Sequence, residues 1–233
     1  MRHRNRNIFV YMLALASVVV AFIAAPARAD MSNSRIGLHV IRLEPEGSDA
    51  EDFSEAAWGG NVEAVIVPPG VWDAFAFQVG FEGAELDSKT IHFINRTTGL
   101  RTEQQTTQTF LRLFAGGRIG HQGHGTFRPY AGANIALNIF TINTDVVIPN
   151  DADPDNEIRQ DLDENTETAF GFDVVLGTEF NFSDAWYIDI GGKYIKTFNV
   201  PQQLGEEAKK IHPQYIEIYA GAGVTLGFLS RQD

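Results

Sequence analysis

Tyr215-Ile216-Glu217-Ile218-Tyr219-Ala220-Gly221-Ala222-Gly223-Val224-Thr225-Leu226-Gly227-Phe228 alternates from end to end. Ile216, Ile218, Ala220, Ala222, Val224, Leu226 and Phe228 are all apolar. Tyr215, Glu217, Tyr219, Gly221, Gly223, Thr225 and Gly227 are polar, aromatic or without a side chain. A period of two places the two sets on opposite faces of one strand. Most strands hold about 5–6 residues. A strand that crosses a membrane needs about 9–11, apolar toward lipid and polar toward a lumen. The stretch therefore reads as one wall strand of an outer-membrane β-barrel.

Working back along the chain, the same alternation recurs. Thr168 to Phe182 sets Phe170, Phe172, Val174, Leu176 and Phe180 against Gly171, Asp173, Gly177 and Glu179. Ala185 to Phe198 sets Trp186, Ile188, Ile190 and Tyr194 against Tyr187, Asp189, Gly191 and Lys193. Thr126 to Phe140 sets Phe127, Ala131, Ala133, Ile135, Leu137 and Ile139 against Arg128, Tyr130, Gly132, Asn134 and Asn138. Earlier strands are read over Ser34 to Leu43 (Arg35, Gly37 and His39 on the polar face), Trp58 to Val67 (Asn61 and Glu63), Val71 to Glu82 and Thr102 to Gly117. The facing of that fourth strand stays undecided, because Phe110-Leu111-Arg112-Leu113-Phe114 is apolar on both sides. Ala84 to Arg101 leaves two readings open, a loop or a short strand over Thr90 to Ile94.

The fold class is thus all-β: an eight-stranded antiparallel transmembrane barrel. Its connections sort by length. Residues 44–57, 83–101, 141–167 and 199–212 are long; 68–70, 118–125 and 183–184 are short. Outer-membrane barrels have short periplasmic turns and longer outer loops, so with both termini in the periplasm every long connection faces out. Trp58, Trp72, Phe127, Phe182, Trp186, Phe198 and Phe228 near strand ends suit interfacial girdles.

Composition agrees. Arg2, Arg4 and Arg6, the apolar run Ile8 to Ala25 and the small-x-small site Ala27-Arg28-Ala29 form a secretory signal peptide over residues 1–29, leaving 30–233 as one barrel domain. Cleavage removes four arginines and no acids, taking the formal charge from −12 to −16. Cysteine is absent, so strand pairing and packing hold the fold. The acidic balance excludes nucleic acid as a partner.

Arg128-Pro129-Tyr130-Ala131-Gly132-Ala133-Asn134, Gly171 to Phe180 followed by Ser183-Asp184, and the closing strand Tyr219 to Phe228 resemble the motifs of the small outer-membrane β-barrel family of opacity-type surface antigens and OmpA-type transmembrane domains. The resemblance covers the mature chain and is clearest from Phe127 onward. It implies a cell outer membrane location and a non-enzymatic structural, surface-interaction or adhesion role. It implies outer-membrane lipid and lipopolysaccharide as surroundings, a host or extracellular surface ligand as partner, and insertion by the barrel-assembly machinery. That machinery reads the last-strand aromatic, and five residues follow Phe228 here.

Arg128, Asp173, Glu179, Asp189, Lys193 and Glu217 all fall on the polar face of the last four strands. In a narrow barrel such charges must pair or stay wet. They are read first as an interior salt-bridge network. A conducting path for small solutes or hydrophobic molecules is the alternative, and an outer-membrane lipid hydrolase using a lumenal carboxylate such as Glu179 the third. No Ser/His pair on matching faces supports the last. The acidic stretch 145–167 holds Asp151-x-Asp153-x-Asp155 and Glu157, which suggests a calcium loop. Asn156 replaces its turn glycine and Leu162 its bidentate glutamate, so a solvated loop is the first reading and divalent-ion binding the second. His121 and His124 share a glycine-rich turn and are read as a turn. No cofactor motif is present.

Overall fold

The structure is a computed structural model that describes residues 33–52, 54–69, 74–94, 101–123, 125–148, 158–204 and 207–227. Strands β1 (Arg35–Glu46), β2 (Ala57–Ile66), β3 (Phe75–Ile94), β4 (Arg101–Gly120), β5 (Phe127–Ile148), β6 (Ile158–Asn181), β7 (Trp186–Thr197) and β10 (Gln214–Thr225) form the barrel. Each pairs antiparallel with its neighbours in chain order, and β10 closes onto β1 from Arg35↔Thr225 to Glu46↔Gln214. Closure leaves no bare edge within the membrane, which the absence of water there requires. A short helix α1 (Ser48–Glu51) follows β1, and β8 (Val200–Leu204) pairs with β9 (Glu207–Ile211) in a separate hairpin.

The wall has two heights. β1, β2, β7 and β10 hold 10–12 residues, enough for the membrane. β3 to β6 hold 20–24. The surplus of ten or so residues, at about 3.3 Å each, stands roughly 30 Å of strand above the low side of the rim. We call this raised half the lip. Directly opposite residues share a face, so register shows where lipid ends. Phe81, Leu113, Leu137 and Phe170 form one outward row. Two rows higher, the outward residues become Glu85, Thr109, Thr141 and Thr166, and the next row is Ser88, Thr107, Asn143 and Glu164. The Thr141 and Thr166 hydroxyls lie 3.2 Å apart. At the other end, Phe127, Phe182 and Trp186 are exposed, with Phe127 and Phe180 centroids 5.4 Å apart. Trp58 is exposed near the low side of the outer rim, with the Arg42 guanidinium 5.2 Å over its ring. These girdle positions face outward as the sequence placed them; Trp72 and Phe228 lie outside the described residues.

The lip corrects the expected loops. Residues 141–167 are not one long loop: β5 runs on to Ile148 and β6 starts at Ile158. Residues 83–101 are largely strand as well, since β3 continues to Ile94. Both segments lack alternation because above the membrane their outward face meets water and not lipid, while their Thr, Val and Ile content still favours extended backbone. Residues 199–212 hold the β8–β9 hairpin, and 44–57 hold the end of β1, α1 and the start of β2. Residues 1–29 and 151–157, hence the signal peptide and Asp151, Asp153, Asp155 and Glu157, lie outside the described residues.

Candidate functional site: the lumenal ion network

Alternation brings one side chain in two from each wall strand into the lumen. There they stack in tiers. The periplasmic tier centres on Glu179 of β6. Its carboxylate meets three guanidinium groups: Arg35 Nε of β1 at 3.2 Å, Arg128 Nη2 of β5 at 2.7 Å, and Arg118 Nη2 of β4 in a short contact. Arg118 also reaches Glu63 of β2 at 3.5 Å and stacks over the Tyr130 ring at 4.1 Å. Gln122 floors the tier by accepting from Arg35 Nη2 at 2.6 Å.

The middle tier joins His39, Asn61, Asp189, Tyr130 and Tyr219. The Tyr130 hydroxyl lies 2.8 and 2.9 Å from the two Asp189 oxygens and 2.6 Å from the Tyr219 hydroxyl. His39 lies between Asn61 Oδ1 at 3.0 Å and Asp189 Oδ2 at 3.3 Å. Space for the two tyrosine hydroxyls comes from Gly177 and Gly191, which are register partners on β6 and β7. A Cβ at Gly177 would strike both, and one at Gly191 would strike that of Tyr219.

Above this, Arg112 of β4 bridges Glu82 (2.6 Å) and Asp173, the latter in a short contact. Lys193 of β7 bridges Glu82 and Glu217, both at 2.8 Å. Asn134 donates to Asp173 at 2.8 Å and receives from Gln78 at 2.7 Å. Isolated charges buried this way would be prohibitively costly; Glu82–Arg112 and Glu217–Lys193 pair neighbouring strands, while Arg112–Asp173 and Lys193–Glu82 tie strands that share no ladder. Asn138 donates to Thr197 at 2.8 Å, and beyond that pair the lumen turns apolar. Ile41, Leu43, Leu86, Phe110, Phe140, Ile195 and Tyr215 fill it, with Phe110 and Phe140 centroids 5.1 Å apart. Ala50 of α1, Val200 of β8 and Ile211 of β9 cover this apolar tier. The two covering elements are clasped: His212 N–H donates to Asp49 at 2.9 Å, and Asn199 N–H, at φ 54°, donates to His212 Nδ1 at 3.2 Å.

The structure brings Arg128, Asp173, Glu179, Asp189, Lys193 and Glu217 together inside the barrel, each at least 95% buried. Sequence reasoning missed their partners Arg35, His39, Glu63, Glu82, Arg112 and Arg118. The signal was there for four: Arg35, His39 and Glu63 sit on polar faces already read, and Glu82 continues the inward set of Gln78. Arg112 was hidden because Phe110 and Phe114 point inward beside it, which blurs the alternation of β4, and Arg118 because it was read into the turn 118–125, whereas β4 runs on to Gly120. Among the described residues no group of three His, Cys, Asp or Glu side chains is placed to hold a metal ion.

The family model described as "Outer membrane protein beta-barrel domain" matches residues 13–227. No curated protein matches the chain. Among solved structures, it is similar to neisserial surface protein A at 14% identity and a TM-score of 0.53, over 83% of this chain and 97% of that one. Ail, the attachment invasion locus protein of Yersinia pestis, matches at 12% identity and a TM-score of 0.42, over 82% and 95% of the two chains, in its complex with sucrose octasulfate. The N-terminal β-barrel domain of Pseudomonas aeruginosa OprF matches at 14% identity and a TM-score of 0.31, over 83% and 97%.

Proposed function

We propose that this chain, which belongs to the outer membrane protein β-barrel domain family and resides in the cell outer membrane, is a plugged, non-enzymatic wall that presents its lip to a ligand at the cell surface. The observation that carries this reading is the contrast within one molecule. The lumen is crossed by ion pairs whose charged groups are buried, whereas the outer half of β3–β6 stands beyond the span as mostly exposed polar ladders, with few buried side chains (Thr102, Gln108, Asp145 and Val147). Material invested in the lip serves neither the span nor a pore. Lipid meets the apolar belt, lipopolysaccharide sugars meet the Ser, Thr and Asn rows just above it, and the barrel-assembly machinery inserts the wall.

Two measurements test this. Shortening the lip at both hairpins, by removing 88–107 and 143–164, should leave a barrel that still migrates differently boiled and unboiled, while attachment of expressing cells to their target surface falls to background. Unchanged attachment would move the ligand site elsewhere. In planar bilayers the intact protein should pass no resolvable current. A narrow channel is the second reading, favoured by the buried Nε–H groups of Arg112, Arg118 and Arg128, which meet no hydrogen-bond acceptor among the described residues and so call for solvent. Discrete current steps would decide for that channel. Release of fatty acid from outer-membrane lipid, abolished by Glu179→Gln in a folded barrel, would decide for a hydrolase.

A further inference from the structure

Both ring nitrogens of His39 face oxygen. Nδ1 is 3.0 Å from Asn61 Oδ1, and Nε2 lies at an ion-pair distance of 3.3 Å from Asp189 Oδ2 without the alignment of a hydrogen bond. The Asn61 amide cannot be turned round to present its NH2 to the imidazole. Its Nδ2 donates to the Glu82 carboxylate at 3.2 Å, and reversal would set oxygen against oxygen. Asp189 already accepts from Tyr130, and as a carboxylate it presents only oxygen to His39 Nε2. A neutral imidazole has one N–H and one lone pair, so in this setting a lone pair would face an oxygen whichever tautomer formed.

Charge count points the same way. Within the barrel the described cations are Arg35, Arg112, Arg118, Arg128 and Lys193; the carboxylates are Glu63, Glu82, Asp173, Glu179, Asp189 and Glu217. (Asp145, also buried, sits on the lip.) Five cations face six carboxylates, and one more positive charge makes the lumen neutral.

We infer that His39 is held as a doubly protonated imidazolium, the sixth cation of the plug, and that losing its second proton loosens the lumen as pH rises. The groups that face it come from the whole circumference: Asn61 and Glu63 of β2, Asp189 and Tyr187 of β7, and Tyr219 of β10 with rings 5.4 Å apart. Glu82 of β3 acts through Asn61, Tyr130 of β5 through Asp189, and Arg118 of β4 through Glu63. Lys193 stands across the Tyr219 ring at 5.3 Å. The nearest charges are the carboxylates of Asp189 and Glu63, and deprotonation would leave Asp189 without a cation beside it.

The test needs a single observable histidine. Residues 30–233 contain His39, His92, His121, His124 and His212. In a folded variant with the last four changed to Gln, side-chain 15N spectra in lipid bilayers should show both His39 nitrogens in the protonated range at pH 7. One nitrogen in the unprotonated range at pH 7 would overturn the inference, whatever the conductance result. In the same variant the unfolding equilibrium constant in urea should rise at least about tenfold between pH 7 and pH 9. A His39→Gln version should lose that dependence. A flat profile before that change would sink the plug role even with the proton in place. If His39→Gln fails to fold, the spectra and the first profile decide without it.

Discussion

Glu179→Gln is expected to be the most damaging conservative change in the protein. The substitution keeps shape and removes the negative charge on which Arg35, Arg118 and Arg128 converge. These guanidinium groups come from β1, β4 and β5, and all are at least 96% buried. Removing one partner of a buried ion pair costs about 3–5 kcal/mol, because the other charge stays uncompensated; here three are left, with only Glu63 remaining nearby. Urea unfolding in bilayers should therefore shift by at least that range, or the chain should fail to yield the fast-migrating unboiled form. Adding Arg118→Met to the Gln variant should recover part of the loss, because it removes one of the stranded charges; the two changes in contact should be non-additive. Glu51→Gln, on exposed α1, should stay within about 0.5 kcal/mol. A Glu179→Gln variant as stable as the parent would show that the periplasmic tier is solvated and that the pairs contribute little.

Gly191→Val should rival it by a different route. A Cβ at Gly191 would overlap the Tyr219 hydroxyl and ring and the backbone carbonyl of Leu176. The tyrosine can swing, but the carbonyl belongs to the neighbouring strand and moves only if the β6–β7 ladder does. Swinging Tyr219 also breaks its 2.6 Å bond to Tyr130, which in turn holds Asp189. Overpacking alone costs roughly 1–3 kcal/mol, and a disturbed buried hydrogen bond adds about 1–3 kcal/mol when a partner is left unsatisfied. The expected loss is then about 2–6 kcal/mol, read as a lower urea midpoint. Gly192→Val makes a useful neighbour: its side chain points to the lipid side, where the nearest atom to a Cβ is Glu217 O at 3.2 Å. It should cost far less. Equal losses at the two positions would mean that backbone entropy, not the tyrosine notch, sets the requirement.

These two residues also mark what could be read from sequence. Glu179 and Gly191 fall on alternating strands where one face meets lipid, and period two assigns their direction outright. That logic placed the wall, its strand order and the lumenal charges of the last four strands. It stopped at β4, where Phe110 and Phe114 share the inward face with Arg112 and Arg118. It also stopped above the membrane, where Thr102 to Thr109, Thr141 to Ile148 and Ile158 to Thr168 need no apolar side. Their polarity resembles that of a loop, though hydrogen bonding to neighbouring strands makes them extended. Which carboxylate meets which cation depends on register across strands distant in sequence, such as Glu82 with Lys193, and no local pattern encodes it.

The lip gives the protein a mechanical axis. Its four strands run from above the membrane to the periplasmic rim, with one register shift in the β3–β4 ladder and one in the β5–β6 ladder, so a pull on the lip along the strands loads long ladders in shear. Many hydrogen bonds share that force at once, and the lumenal ion pairs resist sliding below. The β8–β9 hairpin, a separate two-stranded sheet with five residues a side, would instead peel one bond at a time. A tether gripping the lip would thus strain the membrane anchorage before it undid the fold, whereas one gripping the hairpin would strip it off and leave the barrel standing.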